Sequence, residues 1–124
     1  MEFKTLNSIA IKDILTVFNE SFSDYFVSFQ LTLDQLAAKM LADKVDLDLS
    51  VGVFENEKLI AFILHGVNII NGNKALYNGG TGVVPQKRGH GLTKQMYHFI
   101  LPVLQENGIH DLILEVISNN IQAR

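Results

Sequence analysis

The sequence predicts a mixed α/β (α+β) domain. Its sheet is mostly antiparallel and flanked by helices, in the order β-α-α-β-β-β-α-β-(α). Three observations predict this class. Apolar residues recur at helical spacing up to Leu41 and at strand-like spacing from Leu49 onward. Two turn signals, Asn56-Glu57 and Asn71-Gly72-Asn73, divide the strand-like region into an antiparallel meander. The last strand of that meander leads through a helical stretch to a further strand at Leu112. Such a βαβ crossover makes its two strands parallel and its connection right-handed.

Each element has a local reason. Glu2–Leu6 is short and alternates in character, as a first strand does. Asn7 or Ser8 is expected to cap a helix, along which Ile11, Ile14, Leu15, Phe18 and Phe22 recur at spacings of three and four. After the polar-aromatic stretch 23–30, Thr32 and Gln35 form a capping box for a second helix, whose stripe is Leu33, Leu36, Ala37, Met40 and Leu41. Leu49–Glu55, Lys58–Val67 and Lys74–Val84 are the meander strands. Gly79-Gly80-Thr81-Gly82 inside the third of these signals a bulge or a close backbone approach. A third helix is expected from about Gly89 to Glu106, with Leu92, Met96 and Ile100 inward and Pro102 bending it. Asn107-Gly108 ends it, Asp111–Ile117 is a last strand, and Asn119–Arg124 opens another helix.

Composition narrows the function. The 124 residues suit one domain (1–124), and 48% hydrophobic content can fill its core. A net charge of −3 argues against a general nucleic-acid surface, which needs surplus Lys and Arg. With no cysteine, thiolate nucleophiles, disulfides and Cys-based metal sites are excluded. His65, His90, His98 and His110 are scattered without metal-ligand spacing, so no metal is expected. No apolar run approaches the ~20 residues of a membrane span, and none of signal length opens the chain. The expected setting is the cytoplasm, away from membranes.

The segment carrying chemistry is Gly82-Val83-Val84-Pro85-Gln86-Lys87-Arg88-Gly89-His90-Gly91-Leu92-Thr93-Lys94-Gln95. An apolar strand ends, a short basic loop with two glycines follows, and the loop opens into a helix. Glycine lets backbone N–H groups turn toward an anion, and a helix start adds the positive end of its dipole, so this order suits a pyrophosphate. A purely structural strand-to-helix turn is the plainer reading. A dinucleotide fingerprint lacks its third glycine here and would follow the first strand, and no Gly-Lys-Ser/Thr completes a Walker A loop.

With Gln86, Gly89 and Gly91 filling a Gln/Arg-x-x-Gly-x-Gly/Ala signature, the chain resembles the GCN5-related N-acetyltransferases. Asn120 and Ala123 supply the Asn-x-x-Ala expected after the fifth strand, and the element order agrees. The resemblance implies acetyl transfer from acetyl-CoA to a small-molecule or protein amine by direct attack. It places the pantetheine arm against Val83 and Val84, with Asn120 touching it. The pyrophosphate falls on the amides of Arg88, Gly89, His90 and Gly91, with Leu92 and Thr93 in the first helical turn, and a backbone N–H near the bulge is a candidate oxyanion donor. Glu115 is a candidate general base, its other reading being an outward strand carboxylate; Tyr77 and Asn78 are further candidates. Part of Phe22, Tyr25, Phe26 and Phe29 is expected to line the acceptor side.

The family's acid is a tyrosine after the fifth strand, and this chain has none after Tyr97. The last two family strands are also missing. The exposed edge of the final strand is expected to be covered either by a further C-terminal part or by a second copy in a homodimer. Two other functions fit the same pattern: a non-catalytic acyl-CoA-binding or regulatory lobe, and a sensory module that binds no CoA.

Overall fold

The computed structural model describes residues 1–23, 30–109 and 111–113. The strands are β1 (Glu2–Thr5), β2 (Val51–Glu55), β3 (Lys58–Ile70), β4 (Asn73–Val83) and β5 (Asp111–Ile113). The helices are α1 (Ile11–Ser21), α2 (Leu33–Ala42) and α3 (Leu92–Glu106). The sheet has the order β1-β2-β3-β4-β5. β1 to β4 are successive antiparallel neighbours and β5 lies parallel to β4, which bears out the mixed sheet and the crossover. The helix expected after β5 lies outside the described residues.

Turn chemistry sets the registers. Asn56 and Glu57 have φ of 52° and 67°, and Asn71 and Gly72 have 53° and 81°, the paired positive values of a type I′ hairpin. β3 runs on to Ile70, beyond the expected end at Val67. Its upper part gains a second partner: the Asp46 N–H donates to His65 O at 2.9 Å and the Val67 N–H to Lys44 O at 3.2 Å. The register of β3 against β4 slips by one at Gly79, with Leu64 opposite Gly80 but His65 opposite Asn78, so the expected bulge is present.

Helices cover both faces of the sheet. Gly80 and Gly82 lie under α1, and a Cβ added at Gly82 would come within 2.5 Å of the Phe62 ring and 2.9 Å of the Ser21 Cβ. This close approach is why the strand carries glycine there. On the opposite face α3 packs across β1 to β4. Phe62, Ile14, Leu36, Met96 and Ile100 are fully buried between these layers.

Several boundaries differ from expectation for clear reasons. α1 begins after Ala10 with no side-chain cap, because Asn7 and Ser8 are used up in a turn where the Ile9 N–H donates to Leu6 O. Leu47–Leu49 is a 3-10 turn capped by Asp46, so β2 starts only at Val51. α3 starts at Leu92 because Gly89 and Gly91 hold φ of 83° and 71°, outside helical space. It continues unbroken through Pro102. The capping box of α2 is present, but only Leu36 of its stripe is buried: Leu33 is 44% and Leu41 82% exposed. α2 rests mainly on α1, and that contact needs only a narrow line of side chains.

Candidate active site

The glycine loop follows directly from the end of β4. Val83 ends the strand, Pro85–Lys87 make one 3-10 turn, and residues 88–91 lead into α3. Gly89 and Gly91 hold left-handed conformations, and such residues alternating with ordinary ones are what turns successive amides to one side. The N-cap of α3 is Gly91, which brings no capping side chain, and its first turn holds no acidic residue. The N–H groups of Gly89, His90, Gly91, Leu92 and Thr93 have no acceptor among the described residues. Within the loop, His90 O accepts from Gln95 Nε2 at 3.0 Å. Free amides and an unopposed dipole at an uncapped helix start are features that favour an anion.

The basic side chains of the loop hold it to the scaffold. Lys87 Nζ lies 2.6 Å from Glu55 Oε1, and this contact holds the Glu55 carboxyl below its ordinary pKa. Gln86 Nε2 reaches Glu20 Oε2 at 3.4 Å. The Arg88 guanidinium donates through Nε to Val83 O at 3.1 Å and through a terminal nitrogen to Ser21 O. Arg88, expected as an amide donor, gives its N–H to Pro85 O at 3.3 Å, completing the 3-10 turn.

Beside the loop, β4 offers an edge. β5 pairs with Ala75–Tyr77, and beyond Tyr77 no described residue pairs with β4 on that side. Ladder alternation decides which main-chain groups face that edge. The Val84 N–H donates to Ile60 O of β3 at 3.0 Å, so Val84, expected alongside Val83, turns its amide inward. Val83 and Thr81 therefore present their main chain outward. Val84 and Leu92 are buried core side chains, so Leu92 has only its amide to offer.

Glu115 and Asn120 lie outside the described residues, as do Tyr25, Phe26 and Phe29. Tyr77 donates its hydroxyl to Asp43 O, tying β4 to the segment after α2; burial and the Asp43 charge raise its pKa. Asn78, by contrast, sits in a polar cluster that the sequence reading did not foresee. His65 is fully buried. Its Nδ1 lies 2.7 Å from Leu49 O and its Nε2 3.2 Å from Tyr97 Oη. Asn78 Nδ2 reaches Tyr97 Oη at 3.3 Å and Thr81 Oγ1 at 2.6 Å, while Asn78 Oδ1 accepts from the Gly80 N–H at 2.7 Å. Burial pushes His65 down to about 4 and Tyr97 up to about 12, so both are neutral near pH 7. One signal was available: a histidine inside the apolar run Leu59–Val67 is buried and must find partners.

The mixed sheet, its βαβ crossover and the glycine loop between β4 and α3 are the arrangement of the GNAT fold. A model of the acetyltransferase (GNAT) family matches residues 12–124, and the chain belongs to that family. Solved structures share the fold. A GNAT family acetyltransferase from Brucella melitensis in complex with acetyl-CoA is 19% identical, with a TM-score of 0.66 over 86% of this chain and 70% of its own. Ribosomal-protein-alanine N-acetyltransferase from Brucella melitensis biovar Abortus 2308 is 16% identical, with a TM-score of 0.64 over 91% and 78%. Glucosamine-6-phosphate N-acetyltransferase from Arabidopsis thaliana is 16% identical, with a TM-score of 0.63 over 96% and 88%. A comparison with curated proteins returned no match. Among the described residues no helix is long and apolar enough to cross a membrane, and no group of His, Asp and Glu could hold a metal ion.

Proposed function

We propose that this chain transfers an acetyl group from acetyl-CoA to an amine, small-molecule or protein. One observation carries the reading: the amides from Gly89 to Thr93 at the uncapped start of α3, which have no acceptor among the described residues, directly after the stretch of β4 that no described residue pairs on the β5 side. They suit the diphosphate of CoA. Val83, with its main chain facing outward, suits the amide-bearing arm, which would pair with β4 as an added strand. Asn120 and Glu115 keep their proposed roles, on the arm and as general base.

Bound acetyl-CoA supplies an activated acyl carbon: the amine nitrogen forms a bond to it, the C–S bond breaks, and the proton lost by nitrogen balances the thiolate released. The chain contributes position, holding the donor at both its phosphates and its arm so that attack becomes effectively intramolecular. Acceptors named for the similar structures include a ribosomal-protein alanine and glucosamine-6-phosphate, which supports an amine as the acceptor class.

The test is calorimetric titration with CoA and acetyl-CoA, followed by free-thiol release with an amine panel. Gly89 has φ of 83° and open space around its Cα, so Gly89→Val strains the backbone without a clash. Its stability cost is about 1–2 kcal/mol. CoA affinity should fall at least about tenfold, the equivalent of 1.4 kcal/mol. Undiminished binding by a folded Gly89→Val protein would refute the placement of the diphosphate.

A further inference from the structure

The bulge at Gly79 brings together two side chains that a regular strand would separate. Residues three apart on a strand point to opposite faces. Asn78 and Thr81 nevertheless meet on the α3 face, because Gly79 is the extra residue between them. The hydrogen bonds around them assign every proton but one. Leu49 O can only accept, so His65 Nδ1 at 2.7 Å carries the hydrogen and Nε2 is a lone pair. The Tyr97 hydroxyl, 3.2 Å from Nε2, therefore donates to His65.

The Gly80 N–H identifies Asn78 Oδ1 as the acceptor, at 2.7 Å, so Nδ2 faces the other way. One Nδ2 hydrogen goes to Tyr97 Oη at 3.3 Å and the other to Thr81 Oγ1 at 2.6 Å. Thr81 Oγ1 thus accepts from Asn78, and its own hydrogen is left to donate. No described residue takes that hydrogen. Thr81 is also a residue whose main-chain N–H faces the β5 side of β4. Thr81 therefore brings a main-chain donor to the side of β4 that no described residue pairs beyond Tyr77, and a hydroxyl donor to the α3 face beside it. The oxyanion donor expected near the bulge cannot be the Gly80 N–H, which is already bonded.

We propose that Thr81 is a catalytic residue whose hydroxyl hydrogen-bonds to the carbonyl oxygen of the bound acetyl thioester, and that Asn78, Tyr97 and His65 are positioning residues that hold it as a donor. This rests on the acetyl-CoA reading above. As the amine nitrogen bonds to the carbonyl carbon, the C=O π pair moves onto oxygen, where Thr81 stabilises it. The pair then returns and sulfur leaves with the C–S electrons. Thr81 keeps its proton throughout, and the surplus proton on nitrogen goes to a base or to solvent.

Infrared difference spectroscopy of acetyl-CoA isotope-labelled at the acetyl carbonyl tests this without knowledge of the acceptor. In the saturated wild-type complex the carbonyl band should lie at lower frequency than in the Thr81→Val complex, and Thr81→Ser should restore it. Asn78→Asp is nearly isosteric but offers an acceptor that draws the Thr81 hydrogen inward, so its band should match that of Thr81→Val. In turnover, Thr81→Val should lower kcat roughly 100-fold with little change in KM for acetyl-CoA. If Thr81→Val does not fold, Asn78→Asp carries the test. A Thr81→Val or Asn78→Asp complex whose band stays at the wild-type frequency would overturn the inference while leaving acetyl-CoA binding intact. A wild-type protein that shows neither heat nor a bound carbonyl band would overturn the acetyl-CoA reading, and the role of Thr81 with it.

Discussion

At the scale of single residues, His65 makes stability depend on pH. Burial holds its pKa at about 4 against the pull of Leu49 O, whereas an unfolded histidine titrates near 6.5. Between those values the unfolded chain binds more protons than the folded one. The stabilisation is therefore full above about pH 6.5 and is lost as pH falls toward 4. By pH 5 the loss should be about 2 kcal/mol. Urea unfolding of wild type and His65→Gln at pH 7 and pH 5 checks this, and the variant should show a much smaller difference between the two. Residues differed in how far their roles could be read from sequence. The turns at Gly89 and Gly91 were legible because two glycines before a helix signal left-handed backbone, which both adopt. Thr81, Tyr97 and His65 were not, since their roles depend on contacts among segments near 49, 65, 80 and 97 that only the folded chain brings together. The basic character of the loop was legible, but not that backbone carbonyls hold Arg88 and Glu55 holds Lys87.

Elements announced by local chemistry were the most legible. The Thr32–Gln35 capping box and both hairpin turns appear where short-range signals put them. The start of α1 and the outer stripe of α2 were not legible, because they depend on how Leu6 and α1 pack and not on their own residues. One turn is locally imperfect. Glu57 holds φ of 67°, a conformation that costs a residue with a Cβ about 1 kcal/mol and glycine almost nothing. Glu57→Gly should therefore stabilise the β2–β3 hairpin by up to about 1 kcal/mol after the loss of chain entropy is counted. Chemical denaturation measures the gain, and a destabilised variant would show that the Glu57 side chain has a role beyond the turn.

Across the whole molecule, the order of elements was legible because two tight hairpins and one crossover leave few topologies for a sheet this small. The inward turn of the Val84 amide was not, since it follows from ladder parity fixed by Ile60 on the neighbouring strand. Donor binding should act on the molecule as a unit. At about 100 times Kd, CoA should add about 2.7 kcal/mol and raise the melting temperature by about 10 °C. Gly89→Val should melt several degrees below the unliganded wild type and, with affinity at least about tenfold lower, show no more than about half of that rise. Calorimetric scans with and without CoA measure both. Arg88 has a larger mechanical consequence. Its guanidinium clasps a carbonyl at the last residue of α1 and another at the last residue of β4. It is a rivet between the helical layer and the root of the loop. Displacing the tail of α1 would pull on that rivet and move the glycine loop, so the helical layer and the start of α3 on the opposite face are mechanically joined.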